Sequence, residues 1–333
     1  MKSVIAILVA AIGTNVWADG IEDEMKHARR YGAEAHIVLR CVDQDGGVVT
    51  NAHVSAGLYP DGSFENALCF NGYTDTNGVF VLKGKTNGEF THEIKKDGFY
   101  NTLEQKFLFK LPDVSVSRDR WQPYGMTNTV VLKRKINPVA MYVARRDNAW
   151  HLIKEIEKPL GFDLVENDWV PPFGKGRASD MFVTFFWNGV KFPQYTGADL
   201  ELSFANQYSG IYRADSDISS AFRYPYHADT NAVYSQSIRF SFQRNPQGGQ
   251  KDGRLKEGEC LVLRVRPRLD EDGNLVGALY AKIYGPLTFG LGDDTTPGTM
   301  SLCYYLNPIE NDTNLEADTR KNLLNPCDLG FAP

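Results

Sequence analysis

The chain has 333 residues, enough for two domains with cores of their own, and its 42% hydrophobic and 12% aromatic content fits globular folding rather than disorder. A formal net charge of -5 offers no bulk attraction to polyanions and argues against nucleic acid as a partner. Past the first twenty or so residues no apolar run is long enough to make a transmembrane span.

In chain order, Met1-Lys2 is a short positive start, Val4 to Ile12 is an apolar run too short to span a bilayer, and Val16-Trp17-Ala18 has the small-residue spacing of a cleavage site. Residues 1–18 therefore read as a secretory signal peptide, with the mature chain beginning near Asp19 and located in a periplasm, on a cell surface or outside the cell. No cysteine stands just after the site, so a lipoprotein is not expected. Residues 19–35 form an N-terminal segment in which the charged stretch Ile21 to Tyr31 suits a short helix.

Residues 36–135 read as a first β-domain. Ile37, Leu39 and Cys41 share one face of an extended segment. The turn-forming run Asp43-Gln44-Asp45-Gly46-Gly47 leads to a second run, Val48 to Leu58, and the simplest pairing is a hairpin. Thr74-Asp75-Thr76-Asn77-Gly78 precedes the alternating Val79 to Leu82, and a further strand, Phe90 to Ile94, ends at Lys96-Asp97-Gly98-Phe99. Short strands punctuated by Gly and Asn predict an antiparallel sandwich. The order Ala52-His53-Val54, then Thr74-Asp75-Thr76-Asn77-Gly78-Val79-Phe80, then Lys96-Asp97-Gly98-Phe99 resembles the carboxypeptidase regulatory-like, or transthyretin-like, β-sandwich family over roughly a fifth of the chain. The resemblance implies a fold and transfers no activity, because such modules serve as spacers, adhesion elements and folding partners. Pro60 to Asn71, a longer excursion carrying Cys69, departs from the family's compact pattern. Gln105 to Leu111 suits another strand, Asp113 to Thr127 is irregular, Thr129 to Lys133 suits a closing strand, and Arg134 to Pro138 is the expected boundary.

Residues 136–333 read as a second, larger β-rich domain of sandwich or jelly-roll type, so the fold class is all-β. Met181 to Trp187, the alternating Asp199 to Phe204 and Ser237 to Phe242 are sandwich-type strands. The clearest unit is a hairpin, Cys260 to Arg266 and Leu275 to Tyr284, turned by Asp270-Glu271-Asp272-Gly273-Asn274. Its predicted inner face is Leu261, Leu263 and Val265 against Leu279, Ala281 and Ile283. Asp163 to Arg177, Arg264 to Tyr284 and Tyr304 to Glu316 together resemble recurring uncharacterised exported β-domains of bacteria, a resemblance that carries no catalytic residue.

Export brings an oxidising compartment, where the five cysteines can pair. The economical pairing is Cys41 with Cys69 and Cys303 with Cys327, leaving Cys260. Connectivity does not follow from sequence, and Cys41 reads equally as a buried thiol.

The sharpest candidate binding surface is the other face of the hairpin, Arg264, Arg266, Tyr280, Lys282 and Tyr284, where arginines beside tyrosines can stack on flat ligands, pair with carboxylates and engage sugars. The plainer reading is the ordinary wet face of an antiparallel sheet. Asp168 to Arg177, with Trp169 and Phe173, suits either a ligand-facing rim, to which Trp150, Trp187, Tyr224 and Tyr226 add, or core filling. No G-x-S-x-G, H-E-x-x-H or phosphate-loop pattern occurs, the six histidines are scattered, and no cofactor or metal is called for. Asp270 to Asn274 suits a hairpin turn better than a calcium loop, and Asn311-Asp312-Thr313 is a formal glycosylation sequon. Two function classes follow. One is an exported, non-catalytic binding or surface-structural protein recognising a glycan or an envelope component. The other is a carbohydrate-active hydrolase using carboxylates of the second domain, with Asp215, Asp217, Asp293 and Asp294 as candidates.

Overall fold

In both halves apolar residues recur at every second position, and this period builds sheets. The computed structural model of the protein describes residues 13–187, 197–244, 250–291, 297–330 and 332–333. It is about 52% strand and 5% helix, with several open sheets, and the fold is all-β. By internal contacts the chain divides into two units, Met1–Lys135 with Ser219–Ala221, and Ile136–Ile218 with Phe222–Pro333.

Most of the expected signal peptide, residues 1–12, lies outside the described residues. The chain is then helical over α1 (Gly13–Tyr31), whose last turn carries Arg29 and Arg30 against the negative end of the helix dipole. It stops at Gly32, where φ is +76° and the N–H bonds back to the Ala28 carbonyl at 2.8 Å, the left-handed exit that glycine permits. Met25 and Ala28 pack against the first core.

The first unit is a two-sheet sandwich of β1 (Ala33–Asp43), β2 (His53–Leu58), β3 (Leu68–Tyr73), β4 (Val79–Thr86), β5 (Glu89–Lys95), β6 (Thr102–Phe107), β7 (Ser115–Ser117), β8 (Arg120–Gln122) and β9 (Met126–Leu132). One sheet is centred on β1, which pairs antiparallel with β4 and parallel with β8 and β9, with β7 on β8. The other is the antiparallel sheet β3-β2-β5-β6. Ile37, Leu39 and Cys41 meet Val54, Leu58, Phe90 and Ile94 in one core, each of these side chains buried and together the main stabiliser at about 1.5–3 kcal/mol apiece for the larger ones. Trp121 seals it, its indole N–H bonded to the Thr86 carbonyl at 2.9 Å.

The expected hairpin of β1 with β2 does not form. Both edges of β1 are taken, by β4 and β9, and β2 belongs to the other sheet, so only the single bridge Val42 to Val48 joins the two runs. Asp43 shapes the crossing: its carboxylate accepts the N–H of Asp45 at 3.0 Å and of Gly47 at 2.7 Å. The segment expected as a strand to Leu111 ends at Phe107 and becomes a short 3-10 turn, Leu108–Lys110. The region expected as irregular contains the small β7–β8 hairpin.

The second unit consists of β10 (Val139–Ala144), β11 (Trp150–Ile153), β12 (Leu160–Asp163), β13 (Asp168–Trp169), β14 (Met181–Trp187), β15 (Gly197–Ser203), β16 (Gly210–Ala214), β17 (Ser237–Arg244), β18 (Gln250–Asp252), β19 (Cys260–Leu269), β20 (Leu275–Leu291), β21 (Gly298–Leu306) and β22 (Ala317–Asn322). A seven-stranded sheet ordered β16-β19-β20-β21-β10-β22, with β11 on β21, shares a core with the six-stranded sheet β13-β12-β14-β15-β17-β18. The β19–β20 register sets Leu261, Leu263 and Val265 opposite Ile283, Ala281 and Leu279, as the alternation predicts. The first five of these are fully buried and Leu279 is partly buried against the same core.

Candidate functional site

The hairpin's second face is not the wet surface expected of it. Lys282 and Val262 are fully buried and Tyr280 is 5% exposed; Tyr212, Ala228, Tyr234 and Leu315 pack with Val262 and Tyr280, and Phe222, Tyr224 and Tyr305 surround Lys282. The Lys282 ammonium sits 4.2 Å from the Tyr224 ring centre, 4.5 Å from that of Tyr305 and 5.0 Å from that of Phe222. A desolvated ammonium held over three ring faces is cation–π stabilisation of the fold. Tyr284 is half-buried beside Tyr224. Arg264 donates from Nε to the Tyr208 carbonyl at 2.6 Å and stacks 4.2 Å from the Tyr234 ring centre.

Arg266 leaves that face altogether. A bulge between Val265 and Arg268 puts Arg266 at φ +51° and turns its guanidinium toward β12 and the residue before β14. There it donates to Asp180 from Nε (2.6 Å) and to Asp163 from NH2 (2.7 Å), both carboxylates being buried. Burial opposes charge on Asp163, but the N–H groups of Arg177, Ala178, Glu166 and Val165 outweigh it and hold its pKa below the ordinary value. For Asp180 burial is the larger influence and raises its pKa against the pull of Arg266. Every oxygen of the pair is occupied by a backbone N–H or by the guanidinium, so the cluster organises loops and has no oxygen facing a substrate.

Trp169 is likewise in the core, 3% exposed, its indole N–H on the Leu152 carbonyl, and Phe173 packs against that core, so the expected aromatic rim is interior. Tyr224 is buried too, while Trp150 is exposed. Asp215 and Asp217 follow β16, and Asp293 and Asp294 lie outside the described residues. All five cysteines are among the described residues and none is disulfide-bonded: Cys41 is buried, while Cys69 and Cys327 are exposed. The sequon residue Asn311 has its amide engaged, donating to the Val276 carbonyl and accepting the Ala278 N–H.

The site that sequence reading missed is the outward face of β3-β2-β5-β6. Register lines up Tyr73, His53 and Lys95 in one row, Asn71, Ser55, Glu93 and Leu103 in the next, and Cys69, Gly57, Thr91 and Gln105 in a third. Val54, Phe90, His92 and Ile94 between them point into the core. Two depressions of about 540 Å³ and 250 Å³ lie along these rows, the larger extended by Asn51, Phe99, Asn101 and Lys135, the smaller walled by Tyr59. Their linings occupy adjacent rows, His53 beside Ser55 and Tyr73 beside Asn71, so the two depressions follow one another along the strands as a shallow groove. Its three rows alone span roughly 14 Å, from the rise per residue of a strand.

Local sequence builds each end. At one, the Lys96 carbonyl accepts the Phe99 N–H at 3.0 Å, closing a turn that needs Gly98 at φ +78°. The Lys135 N–H then bonds the Gly98 carbonyl at 2.8 Å and brings that lysine alongside. At the other, glycine at 57 leaves room for the Tyr59 hydroxyl, which meets Thr91 Oγ1 at 2.8 Å, with the exposed Phe64 ring edge-on to Tyr59 at 5.1 Å. Thus the excursion Pro60 to Asn71 supplies a rim and an edge strand. The side chains are pre-set: Ser55 Oγ donates to Asn71 Oδ1 at 2.9 Å, Lys95 pairs with Glu93 at 2.7 Å, Lys96 donates to the Thr50 carbonyl at 2.6 Å, and His53 packs edge-on against Tyr73. Such a surface offers hydroxyls, amides and ring faces side by side, the combination that grips polyhydroxylated ligands. Among the described residues no cluster of three His, Cys, Asp or Glu is placed to hold a metal, and no helix is long and apolar enough to cross a membrane.

No family model matches the chain, and no curated protein matches it. Among solved structures it is similar to 3-chlorocatechol 1,2-dioxygenase from Rhodococcus opacus 1CP, at 14% identity and TM-score 0.26 over 32% of this chain and 62% of that one. It is also similar to catechol 1,2-dioxygenase from Acinetobacter radioresistens, at 12% identity and TM-score 0.25 over 32% of this chain and 53% of that one. A third is the dioxygenase domain of a dioxygenase carbohydrate-binding protein fusion from Streptomyces sp. SirexAA-E, at 11% identity and TM-score 0.23 over 32% of this chain and 82% of that one. The chain spans less than two-thirds of the first two, and TM-scores of this size define no shared fold or chemistry.

Proposed function

We propose that the chain is an exported, non-catalytic binding protein, and that its first unit, a transthyretin-like sandwich, recognises a glycan chain along the outward face of β3-β2-β5-β6. The observation that carries this reading is the succession of the two depressions on adjacent rows of one sheet face, lined by Tyr73, His53, Asn71, Ser55 and Thr91. A groove parallel to the strands suits an extended polymer better than a compact small molecule. Sheet rigidity lowers the ordering penalty on binding, because the polar groups are already fixed by their own hydrogen bonds.

The test is a glycan array probed with the intact chain, with released reducing ends assayed in the same samples. Saturable binding without product, lost in Tyr73→Ala and Asn71→Ala, is the expected result. Released product would overturn the non-catalytic reading, and binding that survives both substitutions would move the site off this face.

A further inference from the structure

The two ends of the groove differ in charge, and the difference says what kind of glycan fits. Lys95, Lys96 and Lys135 line the larger depression with Asp97 as its one lining carboxylate, and with Glu93 on Lys95 from the next row counted as well a local excess of positive charge remains in a chain whose net charge is -5. The smaller depression contains no cation, and Glu93 is its one acid. We propose that the groove takes an acidic glycan, with the anionic substituent of one sugar seated among Lys95, Lys96 and Lys135 and neutral hydroxyls lying along Ser55, Asn71 and Thr91. This inference rests on the glycan-binding reading above and specifies its ligand.

The geometry gives each lysine a part. Lys96 spends one ammonium proton on the Thr50 carbonyl at 2.6 Å, which orients the group and leaves two donors for a ligand. Lys95 is held by Glu93 at 2.7 Å, with about half of its side chain exposed. Lys135 is exposed, and its ammonium lies 5.6 Å from the Tyr100 ring centre, a contact weak enough to yield to an anion. His53, Asn51 and Asn101 add polar groups around the same volume. Glu93 sets the polarity of the ligand, because a second anion placed over the middle row would face its carboxylate. The acid of the bound sugar therefore belongs at the lysine end.

The chemistry is shared by carboxylated and sulfated sugars, so the test has an arm for each. Binding of the intact chain to polygalacturonate, to its methyl-esterified form, to dextran sulfate and to the non-sugar polyanion polyglutamate is measured by titration calorimetry at about 20 and about 200 mM salt. The expected result is binding to one or both acidic glycans at least about tenfold tighter than to the esterified polymer, weakened by salt. Lys95→Gln and Lys135→Gln each reduce it about fivefold, and Lys135→Arg restores it. Dextran sulfate above polygalacturonate identifies the substituent as sulfate, and the reverse order identifies it as carboxylate. Equal binding of acidic and esterified forms overturns the charge assignment while leaving a glycan site in place. Polyglutamate binding as tightly as the sugars overturns it in favour of a general anion surface. Binding to none of the four, together with a silent array, overturns the glycan reading itself.

Discussion

Arg266 holds Asp180 with two hydrogen bonds, Nε to Oδ1 at 2.6 Å and NH2 to Oδ2 at 3.0 Å, at the bulge in β19. The same NH2 reaches Asp163 at 2.7 Å, so one guanidinium bridges two buried carboxylates. Removing it leaves both without their cation. Arg266→Ala is expected to destabilise the second unit by about 3–5 kcal/mol, and Arg266→Lys to recover only part, because an ammonium cannot reproduce the planar fork. Calorimetric unfolding checks both, with the second unit's transition falling and the first unit's unchanged. An unaltered profile in Arg266→Ala would show that the cluster is not a structural clamp.

Gly57 stands between Tyr59 and Thr91 on the groove floor. A Cβ there would lie 3.0 Å from the Tyr59 hydroxyl and 3.3 Å from Thr91 Oγ1, so Gly57→Val displaces the tyrosine and fills the depression. About 1–2 kcal/mol of first-unit stability is expected to go with the Tyr59–Thr91 hydrogen bond, and glycan binding to be lost. Tyr59→Phe separates the two effects: it removes the bond and keeps the space, so stability drops by about 1 kcal/mol while binding persists. Urea unfolding and the array read the two quantities independently.

How much of this was legible in the sequence depends on the range of the signal. The inner face of β19 and β20 follows from period-two alternation within each run, and Leu261, Leu263, Val265, Ala281 and Ile283 are buried. What covers the opposite face does not follow, because Phe222 to Tyr234 has no periodicity to announce that it packs on a sheet. Val262 on that face was the one local hint. The bulge that redirects Arg266 is likewise set by pairing with β20 rather than by its own neighbours. The groove was least readable of all. Its rows join Tyr73, His53 and Lys95 from three strands, and register between strands is a tertiary property. Only the alternation of Ser55 and Gly57 with Val54 and Ala56 pointed to an outward polar face on β2.

The cysteines make a chemical prediction. Cys41 points into the first core, where burial pushes its pKa up to about 12, so it is a poor nucleophile in the folded chain. Cys69 and Cys327 are exposed. Thiol-reactive dye is expected to label Cys69 and Cys327 in the native protein and all five positions after unfolding without reductant. Fewer than five labelled positions in denaturant would mean that pairs form after all.

The first unit buries a histidine and the second half-buries one, and the two make acid stability a direct measure of the cores. In the first, neither ring nitrogen of His92 has a hydrogen-bond partner; burial and the Lys106 ammonium lower its pKa from 6.5 to about 4, outweighing Glu104 Oε2 at 3.5 Å. In the second, His151 packs edge-on against Phe162 and Trp169, and burial lowers its pKa from 6.5 to about 4 despite Asp168 and Asn167. The sign follows from proton linkage. Above pH 6.5 both states are neutral at these sites; below it the unfolded chain binds a proton that the folded chain refuses until about pH 4. The contribution is therefore fully present above 6.5 and lost as pH falls toward 4, on the order of 3 kcal/mol per histidine. Asp163, held low, loses its stabilising contribution only at lower pH, whereas Asp180, pushed up, works in the opposite sense. Histidine variants isolate the effect where the parent curve alone would not. Urea unfolding between pH 7.5 and 4.5 should show His92→Phe flattening the decline of the first unit and His151→Phe that of the second, each leaving the other unit's slope intact. A parent slope retained in either variant would mean that the histidine is already solvated or paired in the folded state, and that the acid sensitivity of that unit lies with its carboxylates.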